Sequence, residues 1–194
     1  MSHLGSVCVY CGSSSRVDDA FKHAAHDLGT EIARRGLQLV YGGGRVGLMG
    51  IAADAALAAG GRVVGIIPEH IQTLEVEHRG LTELHVVDSM HTRKRMMVDR
   101  SDAFIVLPGG LGTLDETFEI LTWKQLRLHD KPVVIADIGG YWGPLLDLVE
   151  HMIDKGFAQP GHRRLFALAQ DVGGVFDALA AQPEESIEPE TKWL

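Results

Sequence analysis

No stretch of this 194-residue sequence approaches the roughly 18 consecutive apolar residues of a membrane-spanning helix. The N-terminus, MSHLGS, lacks the basic stretch and following apolar run of a secretory signal. Positive charge is scarce: 18 Lys and Arg stand against 26 Asp and Glu, a formal net charge of −8. That excludes nucleic-acid binding through a broad basic surface. An anionic ligand must instead be held locally, by backbone N–H groups, helix N-termini and a few well-placed cations. Cysteine is nearly absent. Cys8 and Cys11 have the spacing of a redox or zinc pair, but they lie in VCVYCG, which reads as a strand. Positions three apart on a strand point to opposite faces. The expectation is two free thiols, one buried and one near the strand end, in a protein of the reducing cytoplasm.

Glycine, by contrast, is abundant at 23 residues. Val/Ile-rich runs that alternate little are separated by segments of helical periodicity, a β-α repeat. Strands are expected at SVCVY (6–10), LQLVY (37–41), RVVGIIP (62–68), LTELHVV (81–87), AFIVLPGG (103–110) and KPVVIAD (131–137). Helices are expected after Asp18, over 48–60, over 89–101 with Ser89 as N-cap, over 113–129, and around 144–155 and 172–181. Runs of this kind suit strands buried on both faces. The expected fold is α/β: a three-layer Rossmann-like arrangement with a mainly parallel sheet covered by helices on both faces. Residues 1–182 read as one domain. The tail 183–194 has two prolines, an acidic excess and no periodicity, and reads as flexible.

Three expected strands end in small-residue loops that open helices: CGSSS (11–15), GGGRVG (42–47) and PGGLGT (108–113). Strand C-termini share one edge of a parallel sheet, and ligands bind there where strand order reverses. Helix N-termini favour phosphate, and glycine permits close backbone approach. Together the loops point to a nucleotide or sugar-phosphate site. GGGRVG also matches the dinucleotide fingerprint through Gly42, Gly44 and Gly47, with Glu69 at a suitable distance. Against a nicotinamide oxidoreductase stand the lack of room for a substrate domain and the second, richer loop at 108–113. In that loop Thr113 offers a hydroxyl, and Asp115 and Glu116 are expected in the first helical turn, where the dipole favours their ionised forms. They read either as site carboxylates or as plain complements to the helix N-terminus. Arg93, Lys94, Arg95 and Arg100 form a basic run just before the strand feeding this loop. Adjacent helix positions diverge, so at most two of the four can share a ligand. His23 and His26, three apart on a helix, read as surface residues.

The run SMHTRK (89–94) with PGGLGTLDE (108–116) resembles the paired signature of the Lonely-guy (LOG) family. These are cytokinin riboside 5′-monophosphate phosphoribohydrolases, formerly labelled lysine decarboxylases. CGSSS, YGGGRVGLMG (41–50), GIIP (65–68) and HDKPV (129–133) are similar to the family as well, so the likeness runs from about Val7 to Val175. The resemblance implies hydrolysis of the N-glycosidic bond of a nucleoside 5′-monophosphate, with Arg93 and Glu116 as catalytic pair. It places substrate contacts on Glu75, Lys94, Gly110, Leu111, Gly112, Thr113, Leu114, Asp115 and Thr122, with Gly43 and Gly44 from the second loop. The segment EHIQTLEVE around Glu75 departs most from the family's wording, and Asp115 stands where Glu is often found. The resemblance implies no metal and no cofactor, a small-molecule nucleoside 5′-monophosphate as partner, and a homodimer, for which the apolar stretches Phe118–Trp123 and Met96–Val98 are the expected contacts. The competing reading is a non-catalytic nucleotide-binding module built on the same loops.

Overall fold

The computed structural model describes residues 4–72, 78 and 80–181. Glu75 and the tail expected at 183–194 lie outside the described residues. Seven strands form one sheet: β1 (Ser6–Tyr10), β2 (Gln38–Tyr41), β3 (Arg62–Pro68), β4 (Glu83–Val87), β5 (Ala103–Val106), β6 (Val133–Ala136) and β7 (Ala167–Ala169). Every pairing is parallel, in the order β4-β3-β2-β1-β5-β6-β7. Among the described residues the α-helices are α1 (Asp19–Arg34), α2 (Gly47–Ala58), α3 (Met90–Asp99), α4 (Leu111–Gln125), α5 (Gly143–Asp154) and α6 (Val172–Ala181). No helix among the described residues is long and apolar enough to cross a membrane.

The apolar runs explain the layering. All of β1, β5 and β6 is buried, so each strand contributes to two cores. On one face Val7, Val9 and Ile105 pack with Leu28 and Ile32 of α1, Ala52 and Ala56 of α2, and Phe176 of α6. On the other, Cys8, Tyr10, Phe104 and Val106 pack with Met97 of α3, Ile120 of α4 and Leu145 of α5. The expected three-layer architecture is what the chain forms. Cys8 and Cys11 are both buried and form no disulfide, each lying in a different core, as strand alternation requires.

Helix boundaries follow local chemistry. The Asp18 carboxylate caps α1 by accepting from the Ala20 N–H at 2.9 Å, and Gly36 leaves the helix at φ 70°. Ser89 caps α3 in the same way, accepting from the Thr92 N–H at 3.1 Å. Helix α2 is built of small residues and lies close to α1. A Cβ on Gly29 of α1 would come 2.1 Å from the Ala52 carbonyl oxygen of α2. Gly29→Ala therefore forces two backbones apart, and outweighs the better helix propensity of Ala. It is expected to lower stability by about 1–3 kcal/mol, the usual cost of overpacking. A urea midpoint unchanged from wild type would show that the helices separate freely.

Candidate active site

Strand order reverses between β1 and β5, and the loops after those strands meet there. The Gly12 N–H donates to the Pro108 carbonyl at 3.0 Å, and the Leu107 N–H to Tyr10 at 2.9 Å. A Cβ on Gly12 would lie 3.3 Å from the Gly109 Cα, so glycine lets the two loops touch. The third loop joins through Leu48, whose N–H donates to the Gly12 carbonyl at 3.0 Å. The three glycine loops thus converge at one edge of the sheet.

The PGGLGT loop delivers a free helix N-terminus. Gly110 is the N-cap of α4 and offers no side chain to the first-turn N–H groups. The Leu114 N–H is the first to bond back, to the Gly110 carbonyl at 3.0 Å. Thr113 is buried, and its hydroxyl lies where a Gly109 Cβ would be, 2.1 Å from that position. Helix α4 starts at Leu111, two residues earlier than the sequence pattern predicts, because Gly112 is helical. Asp115 and Glu116 consequently fall in the second turn, and the first turn holds no acid. The expectation that the dipole acts on them from within the first turn is corrected, since that influence fades beyond it.

Arg93 and Glu116 approach the same part of the sheet from different helices. Arg93 is 4% exposed. One of its guanidinium nitrogens, Nη2, donates to the Gly42 carbonyl at 3.0 Å, and the other, Nη1, to the Met90 sulfur at 3.6 Å. Glu116 is half-buried on α4. Both charges act on the Cys8 thiol at the middle of β1. Burial, then the negative charge of Glu116, push that thiol far up, and hydrogen bonds with Tyr10 and Ser101 and the positive charge of Arg93 oppose them. The Tyr10 hydroxyl is likewise held neutral by burial, then by Cys8 and Glu116. The two β1 side chains on which these charges act, Cys8 and Tyr10, are therefore buried and neutral.

Lys94 turns the other way, onto α4. Its ammonium lies 3.2 Å from Asp115 Oδ2 and 3.0 Å from Glu119 Oε1. Burial works against its charge, but the hydrogen bonds and charges of Glu119 and Asp115 outweigh it and raise its pKa. Lys94 thus clasps α3 to α4, and holds the turn that carries Glu116. The remaining cations of the run are on the surface: Arg95 pairs with Asp99 at 2.9 Å and Arg100 with Glu83 at 3.5 Å. Two of the four basic residues face inward, in different directions.

Other expected residues divide. Gly43 and Gly44 sit in the loop beside Arg93. Gly43 is at φ 79°, and its carbonyl accepts from the His78 N–H at 3.1 Å. His78 is buried, and its ring bonds Asp54 of α2 at 2.8 Å. Gly110, Leu111, Gly112, Thr113 and Leu114 form the start of α4, with Leu111 86% exposed. Thr122 is exposed six residues beyond Glu116. It lies about 18 Å along the helix axis from Gly110 and on another face from Glu116. The structure does not bring Thr122 to the cradle. Ile120, Leu121, Met97 and Val98, expected among interface contacts, belong to the core, which leaves Phe118, Trp123 and Met96 partly accessible. His23, His26 and His91 are exposed, and the described residues hold no cluster of three metal-ligating side chains.

The GGGRVG loop is structurally occupied. The Leu48 N–H at the start of α2 already bonds Gly12, a Gly47 Cβ would meet the Ser13 backbone at 2.3 Å, and the Arg93 guanidinium lies under Gly42. Its strand, β2, also lies one position away from the reversal. Sequence reasoning missed Tyr141 as a site residue. The Tyr141 hydroxyl donates to the Gly109 carbonyl at 2.6 Å. The pair of glycines before it, at the end of a strand, was the available signal.

Comparison with known proteins supplies the family. Residues 49–179 match a family model described as possible lysine decarboxylase. A cytokinin riboside 5′-monophosphate phosphoribohydrolase of Rhodococcoides fascians is 48% identical over 90% of this chain and 88% of its own. One of Arabidopsis thaliana is 43% identical over 93% of this chain and 79% of its own. The molybdenum cofactor carrier protein of Chlamydomonas reinhardtii shares the fold at 22% identity, with a TM-score of 0.69 over 93% of this chain and 100% of that one. With the converging glycine loops and the Arg93–Glu116 arrangement in place, these likenesses show that the chain belongs to the Lonely-guy family, the cytokinin riboside 5′-monophosphate phosphoribohydrolases.

Proposed function

We propose that the protein hydrolyses the N-glycosidic bond of cytokinin riboside 5′-monophosphates, and AMP by the same chemistry, to free base and ribose 5-phosphate. The observation that carries this reading is that a buried Arg93 and a half-buried Glu116 both act on the buried, neutral Cys8 thiol, near an uncapped helix N-terminus. The first-turn N–H groups of α4 and the Thr113 hydroxyl hold the 5′-phosphate. That anchorage fixes the sugar relative to Glu116. As the bond between C1′ and the base nitrogen breaks, its electrons leave with the base and positive charge grows on the ribose. The Glu116 carboxylate stabilises that charge and directs a water at C1′. The water's hydroxyl goes to C1′ and its remaining proton ends on the base. Arg93 polarises the departing base or the ribose hydroxyls from the opposite side. Gly43 and Gly44 close the crevice, and Asp115 and Lys94 position α4.

The family model's decarboxylase description needs a lysine able to form a Schiff base, hence one deprotonated near neutral pH. Lys94, the lysine at the site, is held above its ordinary pKa by two carboxylates, the opposite tendency. The protein is proposed to act in the cytoplasm as a homodimer, with Phe118, Trp123 and Met96 at the contact. Incubating it with AMP and with isopentenyladenosine 5′-monophosphate is expected to release free base from at least the latter, quantified by chromatography. No base from either would end the hydrolase reading.

A further inference from the structure

The turn after β6 is built to present one side chain. Asp137, buried at the strand end, accepts from the Trp142 N–H at 2.6 Å, and its own N–H donates to Ala169 of β7 at 2.8 Å. Between them Gly139 and Gly140 take positive φ of 63° and 75°, which folds the chain tightly back and leaves Tyr141 at the rim. Its ring is wedged edge-on between Phe21 of α1 at 5.4 Å and Trp142 at 4.8 Å. The hydroxyl then reaches the Gly109 carbonyl. Nothing in the packing of the ring requires that bond, because the two aromatic contacts already fix it.

We propose that Tyr141 is a positioning residue that sets the phosphate-binding face of the cradle; this rests on reading that cradle as the 5′-phosphate site. In a trans peptide the C=O and the following N–H point in opposite directions. Pro108 gives its carbonyl to the Gly12 N–H, and Gly109 gives its carbonyl to Tyr141. Both glycine peptides of the loop are thereby held by their acceptor ends. The N–H of Gly110 is turned away from the aromatic cluster and joins the free first-turn donors of α4. Gly109 and Gly110 have no side chain to hold that orientation themselves, and no side chain caps the helix. Without the hydroxyl, the Gly109–Gly110 peptide is free to flip and present a carbonyl to the anion.

Tyr141→Phe keeps the ring and removes only the donor. We expect the KM for AMP to rise about tenfold with kcat within about twofold. The inhibition constants of inorganic phosphate and ribose 5-phosphate should rise by the same factor, while that of free adenine stays unchanged. Calorimetric titration with inorganic phosphate reads the same loss without turnover, so it stands even if the hydrolase reading fails. Unchanged phosphate affinity would overturn the proposal. So would a loss shared equally by adenine and phosphate, or one accompanied by a melting temperature lowered by more than a few degrees.

Discussion

Glu116→Gln is expected to bind nucleoside 5′-monophosphate as the wild type does, and to turn it over about 10³-fold more slowly, a loss of ~4 kcal/mol of transition-state stabilisation. The amide has the shape of the carboxylate and none of its charge. In the proposed mechanism binding depends on the phosphate, held by the N–H groups at the head of α4, some distance from the second turn. The chemical step there depends on the carboxylate, because positive charge on the ribose exists only as the bond breaks. The neutral neighbours strengthen the effect. Cys8 and Tyr10, on which the Glu116 charge acts, are buried and neutral, and a charge beside such groups acts more strongly than it would in water. Equilibrium binding of AMP and single-turnover rates separate the two quantities. A variant with near wild-type turnover would remove Glu116 from the chemistry.

The same residues mark how far the sequence could be read. The strands were legible where Val and Ile run together, and β1 and β3 have the expected bounds. The convergence of the three loops was legible too, since parallel strands must end at one edge. β7 was not: it is three residues, Ala167–Ala169, without a β-branched side chain, and exists because β6 offers it an edge to pair with. The start of α4 was misplaced because Gly112 reads as a loop residue, although at a helix N-terminus its cost is small. The inward turn of Lys94 could not be read, because its partners lie on a different helix; Asp115 is 21 residues away. A basic run in an acidic protein identifies a source of positive charge. Only the packing of α3 against the sheet and α4 decides which cation meets a loop, which meets carboxylates and which meets water.

That packing also makes Gly42 the sharpest test of the Arg93 assignment. A Cβ there would lie 1.9 Å from Arg93 Nη2, and the nitrogen donates to the carbonyl of the same residue. Gly42 has no positive φ, so alanine costs the backbone nothing. The obstacle is the far end of a flexible side chain. Gly42→Ala should therefore leave the fold nearly as stable as wild type while pushing the guanidinium out of place. Misplacement of a catalytic group by about 1 Å costs on the order of 10²-fold in rate, and that is the expected fall in kcat/KM. The contrast with Gly29→Ala is in the collision partner: there a carbonyl of the backbone, here the tip of an arginine. A double-mutant cycle completes the argument. In an Arg93→Ala background the added methyl has nothing to displace, so Gly42→Ala should lower activity no further. Equal losses in both backgrounds would mean that the methyl disturbs the loop itself, and that Arg93 owes its place to something other than the missing side chain at 42.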